Sequence, residues 1–349
     1  MSSSFFRVST ANMYDSSVRN LSTRQKTLVD LQENLTSGKR VVRPSDDPVA
    51  AAQAERALTR ISRIQTEQRA LEVQRNAITQ AETTLGDAIG LVQEMRQLMV
   101  GAGGGALKNE DRKTYANQIQ SLQEQLRDVI NRKDTNGIPL LGALGSALQP
   151  FTGPLTGSPD YLFAGLPGQA SSDSTSIATT VDGHAALMFD PVRDGIYGAS
   201  VTQAPGSSLV TSAVTTSNRD VLAGAGYELQ IGGVTTSGGN TQVQYSLTKN
   251  GVAVPGGPFT ASAVTGQPIP ITITDGGVSV MNFSLQGTPV VGDKVGLQPS
   301  PSLMSSIDSA IKGITNATSS TQAAQTVSQA LAHMDAGIER LSNIRGYAG

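Results

Sequence analysis

The sequence predicts an α+β multidomain fold: a coiled-coil-like bundle of long helices, a rod, with an antiparallel β domain inserted into it. Three observations carry this. Charge is crowded at the front, with 35 charged residues in 1–140 and only 13 in 141–300. All 16 prolines lie at 44–48 or 139–301, so 49–138 and 302–349 are free of proline, as long helices require. Apolar residues on both flanks recur at helical spacing, whereas the middle is rich in Gly, Ser and Thr with β-branched runs and hairpin signals. The domains expected are therefore an N-terminal helix in 1–40, a discontinuous helical rod in 41–168 and 301–349, and a β-rich outer domain in 169–300.

Residues 1–10 read as a terminus without order of its own. Ser9 or Thr10 can cap a helix over about 11–37. Its apolar positions Val18, Leu21, Leu28, Leu31 and Leu35 follow three- and four-residue steps and make one stripe. A core-facing helix is the plain alternative. The stripe has no local partner, however, so these five residues are expected to form a subunit interface, ordered only against neighbouring copies.

Between this helix and the next lies Ser37-Gly38-Lys39-Arg40-Val41-Val42-Arg43-Pro44-Ser45-Asp46-Asp47-Pro48. Gly38 suits the left-handed residue that ends a helix. Pro44 fixes the link, Asp47 can cap the following helix, and Pro48 fits its first turn. Two aspartates suggest a cation site, but calcium takes six to eight oxygens, and capping explains them better.

Residues 48–100 read as one helix. Ile64, Leu71, Ile78, Leu85, Val92 and Met99 recur every seven residues beside Ala81, Ala88 and Met95, a coiled-coil-like seam. Gln68, Arg75 and Glu82 keep it from being a clean zipper. Gly86 and Gly90 mark close backbone packing or a bend. The run at 101–105 has neither the phosphate-loop pattern nor a preceding strand, and reads as a turn between helices. Asn109 is expected to cap a third helix, with Glu110 and Asp111 in its first turn and Tyr115, Ile119, Leu122, Leu126 and Val129 on one face. Residues 142–160 read as a loop.

In the middle, Asp182-Gly183, Asn250-Gly251 and Asp275-Gly276-Gly277 are hairpin signals. The clearest hairpins join 243–248 to 252–254 and 269–274 to 278–285. Tyr227–Ile231 is a further strand, 182–189 is expected to hold another, and 201–224 reads as a mobile loop. Together they predict an antiparallel sandwich or barrel. From Leu303 the pattern is helical again. Ile307, Ile311 and Ile314 form a short stripe. Val327, Leu331, Met334, Ile338 and Leu341 then form a return helix suited to pair antiparallel with 48–100.

Several segments carry a family resemblance. SGKRVVRPSDDPVAA and RVSTANMYDSSVRNL (7–21) resemble the conserved opening of the hook-associated protein 3 family, the hook–filament junction branch of the bacterial flagellin superfamily. IPLL at 138–141, YLFAG at 161–165, GTPVVGDKVGLQPS at 287–300 and LAHMDAGIERLSNIRGYAG at 331–349 are similar to its later segments. The resemblance marks Gly38, Pro44, Ser45, Asp46, Asp47, Pro48, Tyr161, Phe163 and Gly165 as structural motif positions. Pro44 and Pro48 flanking the aspartates favour this branch over flagellin proper. It implies a structural subunit that joins the hook, through the first junction protein, to the flagellin filament by coupled folding and assembly. The implied partners are that first junction protein, flagellin, further copies in a ring and an export chaperone. The implied location is extracellular, in the flagellum, reached through type III export without a cleaved signal. The family also has a further long C-terminal helix pairing with the N-terminal one; the sequence ends at Gly349 without it.

Two other readings stand beside this one: a flagellin filament subunit, and a carbohydrate-binding or carbohydrate-active module in the β insertion. Aromatics make up 4% of the 349 residues, with no Trp, which speaks against an aromatic-walled sugar site. Asp182, Asp190 and Asp194 are close in sequence, but their turn-like contexts argue against a carboxylate pair for glycoside hydrolysis. The absence of Cys removes thiolate chemistry. The two histidines, His184 and His333, form no HExxH pattern, and packing or surface roles are expected of them. No catalytic residue, metal or cofactor is expected, and the chain is not expected to be an enzyme. A net charge of −2 without a basic patch offers nucleic acid no footprint, and no apolar run is long enough for membrane insertion.

Overall fold

The computed structural model describes residues 4–45, 47–105, 107–156, 159–168 and 177–348, with side chains described from residue 10 onward. The chain divides into two compact units, Met1–Leu71 and Glu72–Gly349.

In the first unit, helix α1 spans Ser4–Ser37 and α2 begins at Pro48, running Pro48–Ala102. α1 starts well before the expected 11, so neither Ser9 nor Thr10 is its cap. The hydroxyls of Ser16, Ser17, Thr23 and Thr27, all inside the helix, bond back to carbonyls three or four residues earlier. Gly38 has φ +67°, the left-handed conformation that stops α1. Asp47 Oδ1 accepts the Ala50 N–H at 2.9 Å and so caps α2, with Pro48 as its first residue. Arg43 reaches Glu33 at 3.0 Å and Arg40 reaches Asp47 at 3.2 Å. Both pairs are exposed and contribute little beyond local direction. Asp46 lies outside the described residues.

The second unit contains two apolar cores. The helical one is built from α2 beyond Glu72, α3 (Asn109–Ile130), α6 (Leu303–Asn316) and α7 (Ser320–Ala348). The heptad pattern delivers what it promised there: Leu85, Val92 and Met99 are fully buried, as are Ala81, Ala88 and Met95. α7 runs antiparallel to α2, as expected. Arg96 meets Asp335 at 2.6 Å and Arg345 meets Glu82 at 3.2 Å, so positions rising on one helix pair with positions falling on the other. Neither glycine is required by space: a Cβ at Gly86 would make only ordinary contact, 3.5 Å from the Arg345 guanidinium, and Gly90 faces open space. The glycine-rich turn brings α3 back along α2, tied by Arg132 to Asp87 at 2.5 Å. The α3 cap falls one residue earlier than expected. Lys108 is the N-cap, its N–H given to Asp111 Oδ2 at 3.3 Å, while the Asn109 amide oxygen accepts from Arg112.

Within 142–160, expected to be a loop, Phe151–Thr152 forms strand β1, which pairs antiparallel with β2 (Leu162–Phe163). Asp182-Gly183 is not a hairpin turn. Asp182 Oδ1 accepts the Ala185 N–H at 3.1 Å and caps the short helix α4 (Gly183–Leu187), which replaces the strand expected over 182–189. An Asp-Gly pair serves both purposes; here Ala186 and Leu187 bury into the helical core, which decides for the helix.

The β region is an antiparallel sandwich. One sheet has the order β3 (Tyr197–Thr202), β12 (Lys294–Pro299), β6 (Tyr227–Ser237), β7 (Asn240–Lys249) and β8 (Val252–Ala253), with β9 (Phe259–Val264) also on β7. The other joins β10 (Ile269–Asp275) to β11 (Val278–Gln286), which also pairs β4 (Val210–Thr211) and β5 (Thr215–Thr216). Leu229, Ile231, Val243 and Val295 from the first sheet and Ile271, Ile273, Phe283 and Leu285 from the second share one core. Both leading hairpins are present: Asn250-Gly251 and Gly276-Gly277 each supply two residues at positive φ, as a tight two-residue turn demands. The expected loop at 201–224 is instead structured. It contributes β4, β5 and the short helix α5 (Arg219–Leu222), and Leu209, Val210 and Leu222 are buried. Its alternation was hidden because the strands are only two residues long.

Candidate assembly surface

The five stripe residues of α1 all lie in solvent. Val18 is 48% exposed, Leu21 64%, Leu28 59%, Leu31 61% and Leu35 89%. At 100° per residue they fall within about 140° of one another around the helix. Every described side chain of α1 is exposed except Glu33 and Asn34, so the stripe is not part of either apolar core. Met13 and Tyr14 extend the same face and are also exposed. They were missed in the sequence, although Tyr14 stands four residues before Val18 and seven before Leu21. In the same unit, Val49, Leu58, Ile61 and Ile64 of α2 are exposed as well. Several large apolar side chains thus stand in water on two helices.

The later motif residues make packing and hydrogen-bond contacts within the second unit. Tyr161 is buried, and its hydroxyl donates to Asp308 Oδ2 at 3.2 Å on α6. Burial first, and the Asp308 carboxylate second, hold the Tyr161 phenol well above its usual pKa, so it stays a neutral donor. Phe163 packs on Phe151 at 5.1 Å and against His184 at 5.6 Å. Gly165 is required by space: a Cβ there would fall 2.4 Å from the Phe163 ring and 2.7 Å from the Gly142 carbonyl. Because the second contact is backbone, Gly165→Ala is expected to cost about 2–3 kcal/mol of stability, within the range for overpacking. Chemical denaturation at equilibrium checks this, and a loss under about 0.5 kcal/mol would show that the turn relaxes freely.

The acidic residues of the insertion are absorbed into local structure. Asp190 Oδ1 accepts the N–H groups of Val192 and Arg193. Burial alone would push the Asp194 carboxyl up, but Arg193, the Asp190 N–H and Arg340 hold it below its usual pKa. At the far end of the sandwich, Asp275 accepts from Lys249 at 2.5 Å and from Tyr227 at 2.7 Å. The Lys249 bond holds Asp275 below the usual carboxylate range. Among the described residues no group of three or more His, Cys, Asp or Glu could hold a metal ion, and no helix is long and apolar enough to cross a membrane.

The fold is thus a helical core formed by segments before and after a β insertion, preceded by an exposed apolar N-terminal helix. Residues 8–144 match the family described as the bacterial flagellin N-terminal helical region. Flagellar hook-associated protein 3 of Escherichia coli K12 is 28% identical over 214 residues, covering 59% of this chain and 62% of that protein. A flagellin of Listeria monocytogenes is 30% identical, but over only 35% of this chain and 43% of its own length. The crystal structure of the flagellar junction protein FlgL from Legionella pneumophila has the same fold, with a TM-score of 0.66 and 23% identity over 85% of this chain and 97% of that one. The resemblance to hook-associated protein 3 within the flagellin family, read from the sequence motifs, is borne out by these matches, as is the α+β class by the fold. The chain spans less than two-thirds of the length of the curated hook-associated relatives it matches.

Proposed function

We propose that this chain is a structural subunit of the bacterial flagellum that joins the hook, through the first junction protein, to the flagellin filament. The observation that carries the reading is the exposed apolar face of α1 on a chain similar to flagellar hook-associated protein 3. The partners we propose are the first junction protein, flagellin, further copies in a ring and an export chaperone, with the assembled protein outside the cell. Activity is mechanical: no enzymatic step is assigned to it. Burying the five α1 stripe residues between subunits would release about 8–15 kcal/mol gross, against which the ordering of the helix is set. A helix with so little packing of its own is marginal in water, which supports ordering on assembly. We likewise propose the division into the 1–40 helix, the bundle of 41–168 with 301–349, and the outer β domain of 169–300.

Flagellin is the nearer alternative and is not favoured, because the match to it is shorter and Pro44 and Pro48 flank the aspartates. Deletion of the gene tests the proposal by electron microscopy and analysis of the culture medium. Bare hooks with flagellin monomers in the medium are the expected result. Intact filaments of altered length or composition would instead assign a filament subunit, and normal flagella would refute both.

A further inference from the structure

Arg112 stands on the buried face of α3, in line with Ala116, Ile119 and Gln123, and is itself 3% exposed. Helical side chains lean toward the N-terminus of their helix, so its guanidinium lies over the first turn. There Nη1 donates to the Asn109 amide oxygen at 3.1 Å, the only hydrogen bond of this side chain among the described residues. The acceptor is neutral, and no ion pair among the described residues includes Arg112. Nε is buried without any partner, alone in this among the described side-chain nitrogens and oxygens. Nη2 has no partner either, but it is not enclosed and so meets the surface.

The other buried charge among the described residues is treated differently. Asp293 is fully buried and accepts the N–H groups of Ala204 and Val290 at 2.7 and 2.8 Å and the Ser207 hydroxyl at 2.8 Å. A buried charge with several such partners is held in place; one with a single neutral acceptor is costly to keep. The acids in the first turn of α3 do not offset that cost. Glu110 is drawn to Lys113 at 3.3 Å, and Asp111 Oδ2 accepts the Lys108 N–H at 3.3 Å. Lys108, Arg112 and Lys113 outnumber these two acids by one, and the start of a 22-residue helix adds positive potential at the same place.

We propose that Arg112 is a receptor for a carboxylate that its own chain does not supply. Nε and Nη2 form one edge of the guanidinium, and two parallel bonds from that edge match both oxygens of a carboxylate. Nη1, on the other side, is already engaged with Asn109, which orients the group. The carboxylate meets Nη2 at the surface first and draws the Nε edge outward. A halide takes one donor at a time and gains no such fork. The carboxylate is free in solution or belongs to an Asp or Glu of a neighbouring copy; the second source rests on the assembly proposed above, and the first does not.

The full chain, isotopically labelled at nitrogen, is titrated by NMR with sodium acetate at about pH 6, where acetate is ionised, and with sodium chloride at equal ionic strength. The Nε–H resonance of Arg112, identified by its absence from Arg112→Met, is expected to move saturably with acetate and not with chloride. Acetate well above its dissociation constant should also raise the melting temperature by about 2–4 °C in the wild type and leave Arg112→Met unmoved. Arg112→Met itself should melt at or above the wild type, since it removes a charge that nothing in the chain answers. A resonance that ignores acetate, or follows chloride equally, overturns the receptor. So does an Arg112→Met chain that melts several degrees lower or fails to fold, because the chain's own groups would then be holding the charge. With saturable acetate binding in hand, Arg112→Met in complemented deletion cells separates the sources. Failed incorporation into flagella assigns the carboxylate to a neighbouring copy, and normal incorporation assigns a free one. The titration uses the isolated chain, so its failure and a failure of the assembly reading are seen separately.

Discussion

Leu28→Glu with Leu31→Glu is expected to leave the isolated chain's melting within about a degree of wild type and to abolish its assembly into flagella. Both leucines are more than half exposed and touch neither apolar core, so their exchange for a charged residue belongs with surface substitutions, which rarely move stability by more than about 0.5 kcal/mol. At a buried interface the same exchange is severe. Each glutamate loses the leucine's burial, about 1.5–3 kcal/mol, and brings an unpaired charge that costs more still. Two such losses exceed about 5 kcal/mol per subunit, enough to lower association by more than about a thousandfold at 1.4 kcal/mol per tenfold. Circular dichroism on the purified chain and electron microscopy of complemented deletion cells read the two halves separately. Lys26→Gln, on the opposite side of α1 by helical spacing, should assemble normally. Normal filaments from the double variant would remove α1 as the assembly surface, and a collapsed melting curve would mean that the stripe belongs to the chain's own core.

What could be read from the sequence divides along physical lines. Long-period signals were legible: the heptad through Leu85, Val92 and Met99 placed the helical core, and the spacing of Val327, Met334 and Leu341 placed its antiparallel partner. Glycines required by positive φ were legible too, since Gly38, Gly251 and Gly276 occupy conformations that other residues adopt at a cost. Signals with two uses were not. Asp182-Gly183 reads as a turn until its surroundings bury Leu187, and then it is a helix cap. The two-residue strands β4 and β5 show no alternation, and what orders them is pairing with β11, whose partner residues come more than sixty positions later. At the candidate surface the stripe was visible as a pattern, and its exposure was expected only because no neighbouring segment offered it a local partner. Periodicity shows that a helix has an apolar face; whether that face is already covered is a property of the rest of the fold. For the same reason the polar contact between α7 and β4 was invisible, because Gln325 and Thr211 are far apart in sequence and neither belongs to a motif.

The second large effect separates two positions of one heptad seam. Leu85→Ala should destabilise the second unit by about 2–5 kcal/mol, while Ile64→Ala, three heptads earlier on the same seam, should cost under about 0.5 kcal/mol. Leu85 is fully buried among Ala81, Ala88 and the α7 residues, so its truncation leaves a cavity that a close-packed bundle cannot fill. Ile64 is 44% exposed and loses only partial contacts. Differential scanning calorimetry should show the Leu85 variant melting roughly 5–15 °C lower, at about 2–4 °C per kcal/mol for a unit of this size, and the Ile64 variant near wild type. In assembled flagella the order should change: Ile64→Ala should weaken incorporation, while a folded Leu85→Ala subunit still presents an intact outer face. Equal destabilisation of the isolated chain by both substitutions would mean that the whole seam is buried within one subunit, and the exposed half of α2 would then lose its claim to be reserved for a neighbour.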